Sequence, residues 1–145
     1  MMNRILTLMF ILTAVVGYGQ KNKMSFERLK ALKMSFIAEK IGLMEEEESI
    51  FWEIYDQYEK EIFVTCRKEI KNIRKNNSSS VDDISDEEAI EIIKKINELE
   101  SHAIKLRMER DKHLLEKFSA QMILKMHQAE YRFNREMVYK IKKDK

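Results

Sequence analysis

Apolar residues recur along most of this chain at steps of three and four, the spacing that puts them on one face of an α-helix. Phe26, Leu29, Leu32, Phe36 and Ile37 mark a first helix over about 25–41, which Ser25 caps and Gly42 ends. A second begins near Met44 and carries the stripe Ile50/Phe51, Ile54/Tyr55, Tyr58, Ile62/Phe63, Cys66, Ile70 and Ile73. It opens on Glu45, Glu46, Glu47 and Glu48. It ends among Arg67, Lys68, Lys71, Arg74 and Lys75, so both ends suit the helix dipole. The polar stretch 76–84 reads as a loop. Ser85 and Glu88 then form a capping box for a third helix, striped by Ala89, Ile92/Ile93, Ile96, Leu99, Ala103, Leu106 and, past Arg110, Leu114 with Leu115. Phe118 and Ser119 mark a weaker boundary. Beyond it Met122, Met126, Ala129, Phe133, Met137 and Ile141 give a fourth helix its buried side.

There is no Pro, and the three Gly all lie at or before Gly42, so nothing after it breaks a helix. The predicted fold class is therefore all-α. The second and third helices are each about 33 residues, roughly 50 Å long. Stripes this narrow on helices this long need partners. Antiparallel packing across the 76–84 loop is the simplest solution, and the thin body that results leads us to expect a dimer.

The first residues follow another pattern. Arg4 is the only charge before Lys21, residues 5–16 are apolar to neutral, and Gly17-Tyr18-Gly19 offers small residues for signal peptidase ahead of Gln20. That is the layout of a secretory signal peptide over 1–19, with a single helical domain over 20–145 and a periplasmic location. The run is short for a membrane span, although retention as an uncleaved anchor is the alternative. No Cys stands at the cleavage site to support a lipoprotein. The single Cys66 falls on an apolar stripe, as a buried thiol or as half of an intermolecular disulfide.

Charge changes the picture less than its density suggests. Lys and Arg number 27 against 25 Asp and Glu, a balance that argues against binding nucleic acid through bulk electrostatics. At 36% charged residues, most helix faces must be solvated. Lys125, Arg132, Arg135, Lys140, Lys142, Lys143 and Lys145 outnumber Glu130, Glu136 and Asp144 toward the C-terminus, as a solvated helix end or as a basic rim for partly acidic clients.

No nucleophile, base and orienting group come together in the pattern, and there is no Gly-rich phosphate loop, so no enzymatic activity and no cofactor is expected. The sharpest chemical alternative is a metal. Glu109 with His113, and His127 with Glu130, are i, i+4 and i, i+3 pairs that project side by side from a helix and suit a first-row divalent ion. Two ligands do not make a site, and solvated surface histidines are the plainer reading. The ten Met include Met122, Met126 and Met137 on one helix, where thioethers fill a core or present an adaptable surface.

The segment Leu43-Met44-Glu45-Glu46-Glu47-Glu48-Ser49-Ile50-Phe51-Trp52-Glu53-Ile54-Tyr55 resembles the motif of Spy/CpxP-like periplasmic proteins, in which L-T-x-x-Q opens a long helix. In many relatives from Bacteroidetes an F-W-x-I-Y pattern follows, here Phe51-Trp52-Glu53-Ile54-Tyr55. Phe118-Ser119-Ala120-Gln121-Met122 is similar to a degenerate second copy, leading into Ala129-Glu130-Tyr131-Arg132-Phe133. Met44 replaces the capping Thr, Glu45 the common Pro and Glu47 the Gln; a lost hydroxyl cap costs about 1 kcal/mol. The resemblance implies a four-helix, cradle-shaped, usually dimeric protein. Its members act as ATP-independent chaperones for unfolded or partly folded envelope proteins, as inhibitors of envelope stress sensors, or as metal-responsive sensors in extracytoplasmic-function sigma factor systems. A chaperone of this kind would use Phe51, Trp52, Tyr55, Met122 and Met126 for packing or client contact. The alternatives are a sensor component working through a membrane partner, with Glu109, His113, His127 and Glu130 as candidate ligands, and a structural helical adaptor.

Overall fold

The computed structural model describes residues 26–78 and 81–143, the side chains of Phe26 and of 141–143 excepted. The expected signal peptide over 1–19, the cut before Gln20 and the Ser25 cap lie outside the described residues. Among the described residues there is no strand, and no helix is long and apolar enough to cross a membrane.

The elements are α1 (Phe26–Ile41), α2 (Glu45–Glu61), a π-helical turn (Ile62–Arg67), α3 (Lys68–Asn77), a 3-10 turn (Val81–Asp83), α4 (Asp86–Leu115) and α5 (Ala120–Lys143). The chain divides into two compact units, Met1–Ser35 and Phe36–Lys145. The described part of the first is the opening of α1. Everything that follows concerns the second.

Each boundary has a local cause. Gly42, at φ +67, ends α1 in the left-handed conformation that only glycine adopts without strain, and its N–H donates to Ala38. Met44 is the N-cap of α2 in extended geometry and supplies no side-chain bond. The half of the cap that survives belongs to Glu47, whose Oε2 accepts from the Met44 N–H at 3.1 Å. The acidic residue at the Gln position of the motif therefore keeps one backbone donor satisfied. At α4 both halves form: Glu88 N donates to Ser85 Oγ at 3.2 Å and Ser85 N to Glu88 Oε2 at 3.1 Å. Ser119 caps α5 through Met122 N at 3.2 Å.

α2, the π turn and α3 make one continuous rod. In an α-helix the steps Ile62, Cys66, Ile70 drift about 40° each around the axis, because four residues overshoot one 3.6-residue turn. The wider π turn absorbs that drift and keeps Ile62 and Cys66 buried with Ile70 beside them. Lys68 N reaches back five residues to Phe63 O, and Thr65 Oγ1 donates to Glu61 O at 2.7 Å.

The rod runs antiparallel to α4, as Glu59–Arg110, Tyr58–His113 and Arg74–Glu100 show. Two apolar clusters hold the unit. One joins Ile37 and Ile41 of α1, Phe51 and Tyr55 of α2, Leu114, Phe118, and Ile123, Met126 and Ala129 of α5. The other joins Tyr58, Ile62 and Cys66 to Ala103 and Leu106 of α4. Beyond it α3 buries nothing fully, so the α3–α4 tip is a two-helix hairpin of half-covered Ile and Leu.

Met44→Ser is expected to stabilise the protein by about 0.5–1 kcal/mol by restoring a hydroxyl acceptor at the N-cap. Urea unfolding of the two proteins side by side measures it.

Candidate functional site

The residues that sequence reasoning placed at the site divide once they are located. Phe51, Tyr55 and Met126 are fully buried, and Trp52, Ile54, Leu43 and Met122 pack half-buried against them. Phe51 lies edge-on to Trp52 at 4.9 Å and to Phe118 at 5.4 Å between ring centroids. Of the five residues expected to pack or to meet a client, Phe51, Tyr55 and Met126 are buried in the core, while Trp52 and Met122 pack against it and keep part of their surface exposed.

The chemistry lies one turn further on. Arg110 of α4 is 0% exposed, a charge where the stripe of α4 would carry Leu or Ile. All five guanidinium protons find oxygen. Nε and Nη2 both donate to Asp111 Oδ1 at 3.1 Å. Nη1 donates to Glu59 Oε1 and to Glu130 Oε1, each at 3.1 Å, and Nη2 to Glu130 Oε2 at 3.2 Å. The fork onto Glu130 is bidentate, a geometry that the three radial protons of Lys do not reproduce. The Tyr55 ring lies 5.1 Å from the guanidinium carbon, and its hydroxyl donates to Glu130 Oε1 at 2.6 Å.

Electrostatics follow from this packing. Burial works against the Arg110 charge, but Glu130, Tyr55 and Asp111 more than compensate and hold the guanidinium protonated. Burial, joined by the Glu130 and Glu59 carboxylates and the hydrogen bond to Glu130, pushes the Tyr55 phenol far above its usual range, with Arg110 opposing. Tyr58 is also raised, by burial first and then by Glu109, Glu61 and Glu116. A ring of carboxylates around one guanidinium is a structural clamp.

The candidate metal pairs are drawn into other contacts. Glu130 turns inward to Arg110, while His127 Nε2 lies 2.7 Å from Asp111 Oδ2, so His127 and Glu130 do not present a joint ligand face. The buried guanidinium outbids any exposed partner for Glu130. His113 Nδ1 is hydrogen-bonded to the Tyr58 hydroxyl at 2.8 Å, and Glu109 is exposed. No group of three or more His, Cys, Asp or Glu among the described residues is placed to hold a metal ion. Cys66 is a buried free thiol.

What the pattern did not single out is a second stripe on α4. Ile90, Ile93, Ile104, Met108 and Leu115 are each between 49% and 66% exposed. At about 100° per residue they fall within an arc of roughly 60°, centred roughly 130° around the helix from the buried stripe. Ile93 and Leu115 were expected to share the buried face with Ile92 and Leu114. Neighbours in sequence sit too far apart around a helix for that, and the second of each pair faces water. Ile50, next to Phe51, is exposed for the same reason. On α5, Tyr131 is exposed with Arg135 stacked 5.9 Å from its ring, and Glu130 does not offset the basic charge of that face because it points inward.

Comparison with protein-family models, with curated proteins and with solved structures yields no match to this chain.

Two outcomes are expected of the clamp. Arg110→Lys should lose about 3 kcal/mol or more, since a shorter three-proton cation leaves buried carboxylates unpaired; a drop in thermal midpoint of about 10 °C measures it. The second concerns alkaline pH. The unfolded chain's Tyr residues release their protons near pH 10 while Tyr55 in the fold keeps its own, so stability is unaffected by this group below about pH 10 and falls above it. In Tyr55→Phe that fall should be smaller by roughly 1.4 kcal/mol in total by pH 11, read from urea unfolding at several pH values between 9 and 11.

Proposed function

We propose that this chain is a non-enzymatic, exported helical protein that binds exposed apolar segments of other proteins reversibly and without ATP, in the manner of Spy/CpxP-like periplasmic chaperones. The observation that carries the reading is the bifacial pattern of α4. One stripe of this 30-residue helix packs against the rod, while Ile90, Ile93, Ile104, Met108 and Leu115 form a second that is exposed among the described residues. Soluble helices seldom hold five large apolar side chains in line on the water side, and lines of this kind mark interaction surfaces.

The chemistry of the stripe fits loose capture. Isolated Ile, Met and Leu side chains separated by Asn97 and Ser101 give short apolar footholds, and the flexible thioether of Met108 adapts to varied partners. The charges on the rest of α4 speed encounter and limit affinity. The motif around Phe51-Trp52-Glu53-Ile54-Tyr55 supports the family likeness, and residues 1–19 support export to the periplasm. In this reading the motif aromatics build the frame and the water side of α4 meets the client. The stress-sensor alternative draws on the resemblance alone.

The test is light scattering of a denaturant-challenged client protein with increasing amounts of this protein and no ATP. Suppression near stoichiometric ratios is expected. In the triple variant Ile93→Ser, Ile104→Ser, Met108→Ser the ratio needed should rise about tenfold, the effect of roughly 1.4 kcal/mol, with helicity and thermal midpoint retained. No suppression by the unmodified protein, or equal suppression by the variant, contradicts the reading.

A further inference from the structure

The α3–α4 tip carries a groove of about 550 Å³ whose walls hold four cations and one carboxylate, Glu100, and whose floor is apolar. Arg67, Lys71 and Arg74 stand on one side at i, i+4 and i+7, and Arg107 on the other. Ile70, Ala103 and Ile104 line the space between them. We propose that this groove binds an extended acidic peptide segment carrying interspersed apolar residues.

The charge balance of the groove points to an anion. Arg67 has Glu59 at 3.4 Å and Arg74 has Glu100 at 3.1 Å. Neither Lys71 nor Arg107 pairs with a carboxylate among the described residues. Like charges at helix spacings of three and four repel, so this array costs stability in the free protein, and a bound anion relieves that cost. On α4 outside the groove Lys94 pairs with Glu91 at 2.7 Å. By contrast α3 carries Lys68, Lys71, Arg74 and Lys75 against Glu69 alone, so the basic excess lies along α3 and its neighbours in the groove.

The spread of the charges selects the shape of the ligand. Arg67 to Arg74 covers roughly 10 Å along the helix axis, too far for one phosphate or carboxylate to engage them all. An extended peptide repeats its side chains on one edge about every 7 Å. Two carboxylates two residues apart therefore reach successive cations on the α3 wall, while the apolar side chain between them points the opposite way, toward Ala103 and Ile104 of α4. Single-stranded nucleic acid matches the charge but needs aromatic faces for its bases, and no aromatic side chain lines this groove. A lipid surface needs a broad convex apolar face, and a cleft between two helices offers none. The site shares only Ile104 with the second stripe of α4. Peptide binding by the folded protein is read at equilibrium without any aggregating client, so the proposal stands or falls apart from the chaperone reading.

The experiment is fluorescence anisotropy of a labelled synthetic twelve-residue peptide alternating Glu with Leu and Ala, titrated with the full protein at low salt. Saturable binding is expected, weakened at least tenfold when Gln replaces Glu in the peptide. Lys71→Glu, a substitution at an exposed position away from the clamp, should weaken it at least tenfold with a circular dichroism melt that is not lowered, and Lys71→Arg should retain it. Arg107→Gln should weaken it as well, with its melt checked in the same way. Equal affinity for the Gln peptide, an unaltered affinity in Lys71→Glu, or tighter Lys71-dependent binding of anionic vesicles or of oligothymidylate would overturn the proposal.

Discussion

A guanidinium with no access to water must be surrounded by charge and hydrogen-bond acceptors, or the fold that buries it does not form. Arg110 meets that requirement by drawing Glu59 from α2, Asp111 from its own helix and Glu130 from α5 to one point. Apolar stripes alone leave helices free to slide by a turn, since one row of Ile and Leu packs against another in several registers. A five-donor fork does not tolerate such a slip. It admits one alignment of three helices, and the Tyr55 hydroxyl on Glu130 fixes the ring that covers it.

The position of the clamp explains how the remaining parts divide. On α4 it sits between Leu106, which belongs to the cluster with Ile62 and Cys66, and Leu114, which belongs to the cluster with Phe51 and Met126. It thus separates a thick end, where α1 and α5 join the core, from a thinner end where the rod packs on α4 alone. The thick end contains the aromatic motif and the larger of the two buried clusters. The thin end has half-covered apolar residues, a cationic groove and much of the second α4 stripe. Low local burial is where opening and adaptation are cheapest, so surfaces that meet partners are reasonably found there.

Much of this was readable in the sequence, for definite reasons. Ser85 with Glu88, Gly42 and Ser119 act through their own backbone neighbours, and such local chemistry appears wherever the residues do. The stripes of α2, α4 and α5 were legible because burial follows the helical period. The clamp was not. Arg110 reads as a gap between Leu106 and Leu114, and its partners Glu59 and Glu130 lie 51 and 20 residues away, where no spacing rule connects them. The one available signal was its phase: a charge squarely on a buried stripe needs a compensating set. The π turn had a similar trace in the two successive four-residue steps of Ile62, Cys66 and Ile70. The exposed stripe was hidden by doublets such as Ile92/Ile93, in which only one side chain faces the core. His127 and Glu130 looked like a ligand pair because helical spacing says which residues are adjacent and nothing about which stronger partner takes one of them away.

The claim that the Arg110 clamp sets the register of the helices is tested most directly by a double-mutant cycle with Glu130. Urea unfolding of the parent, Arg110→Met, Glu130→Leu and the double variant gives the coupling between the two residues. A clamp predicts strong losses in each single variant and losses in the double variant well short of their sum, for a coupling of about 2 kcal/mol or more. The double variant removes both the two guanidinium protons that Glu130→Leu leaves unbonded and the Glu130 carboxylate that Arg110→Met leaves without its fork. Losses that simply add would contradict it, and would mean that the apolar stripes hold these helices in place unaided.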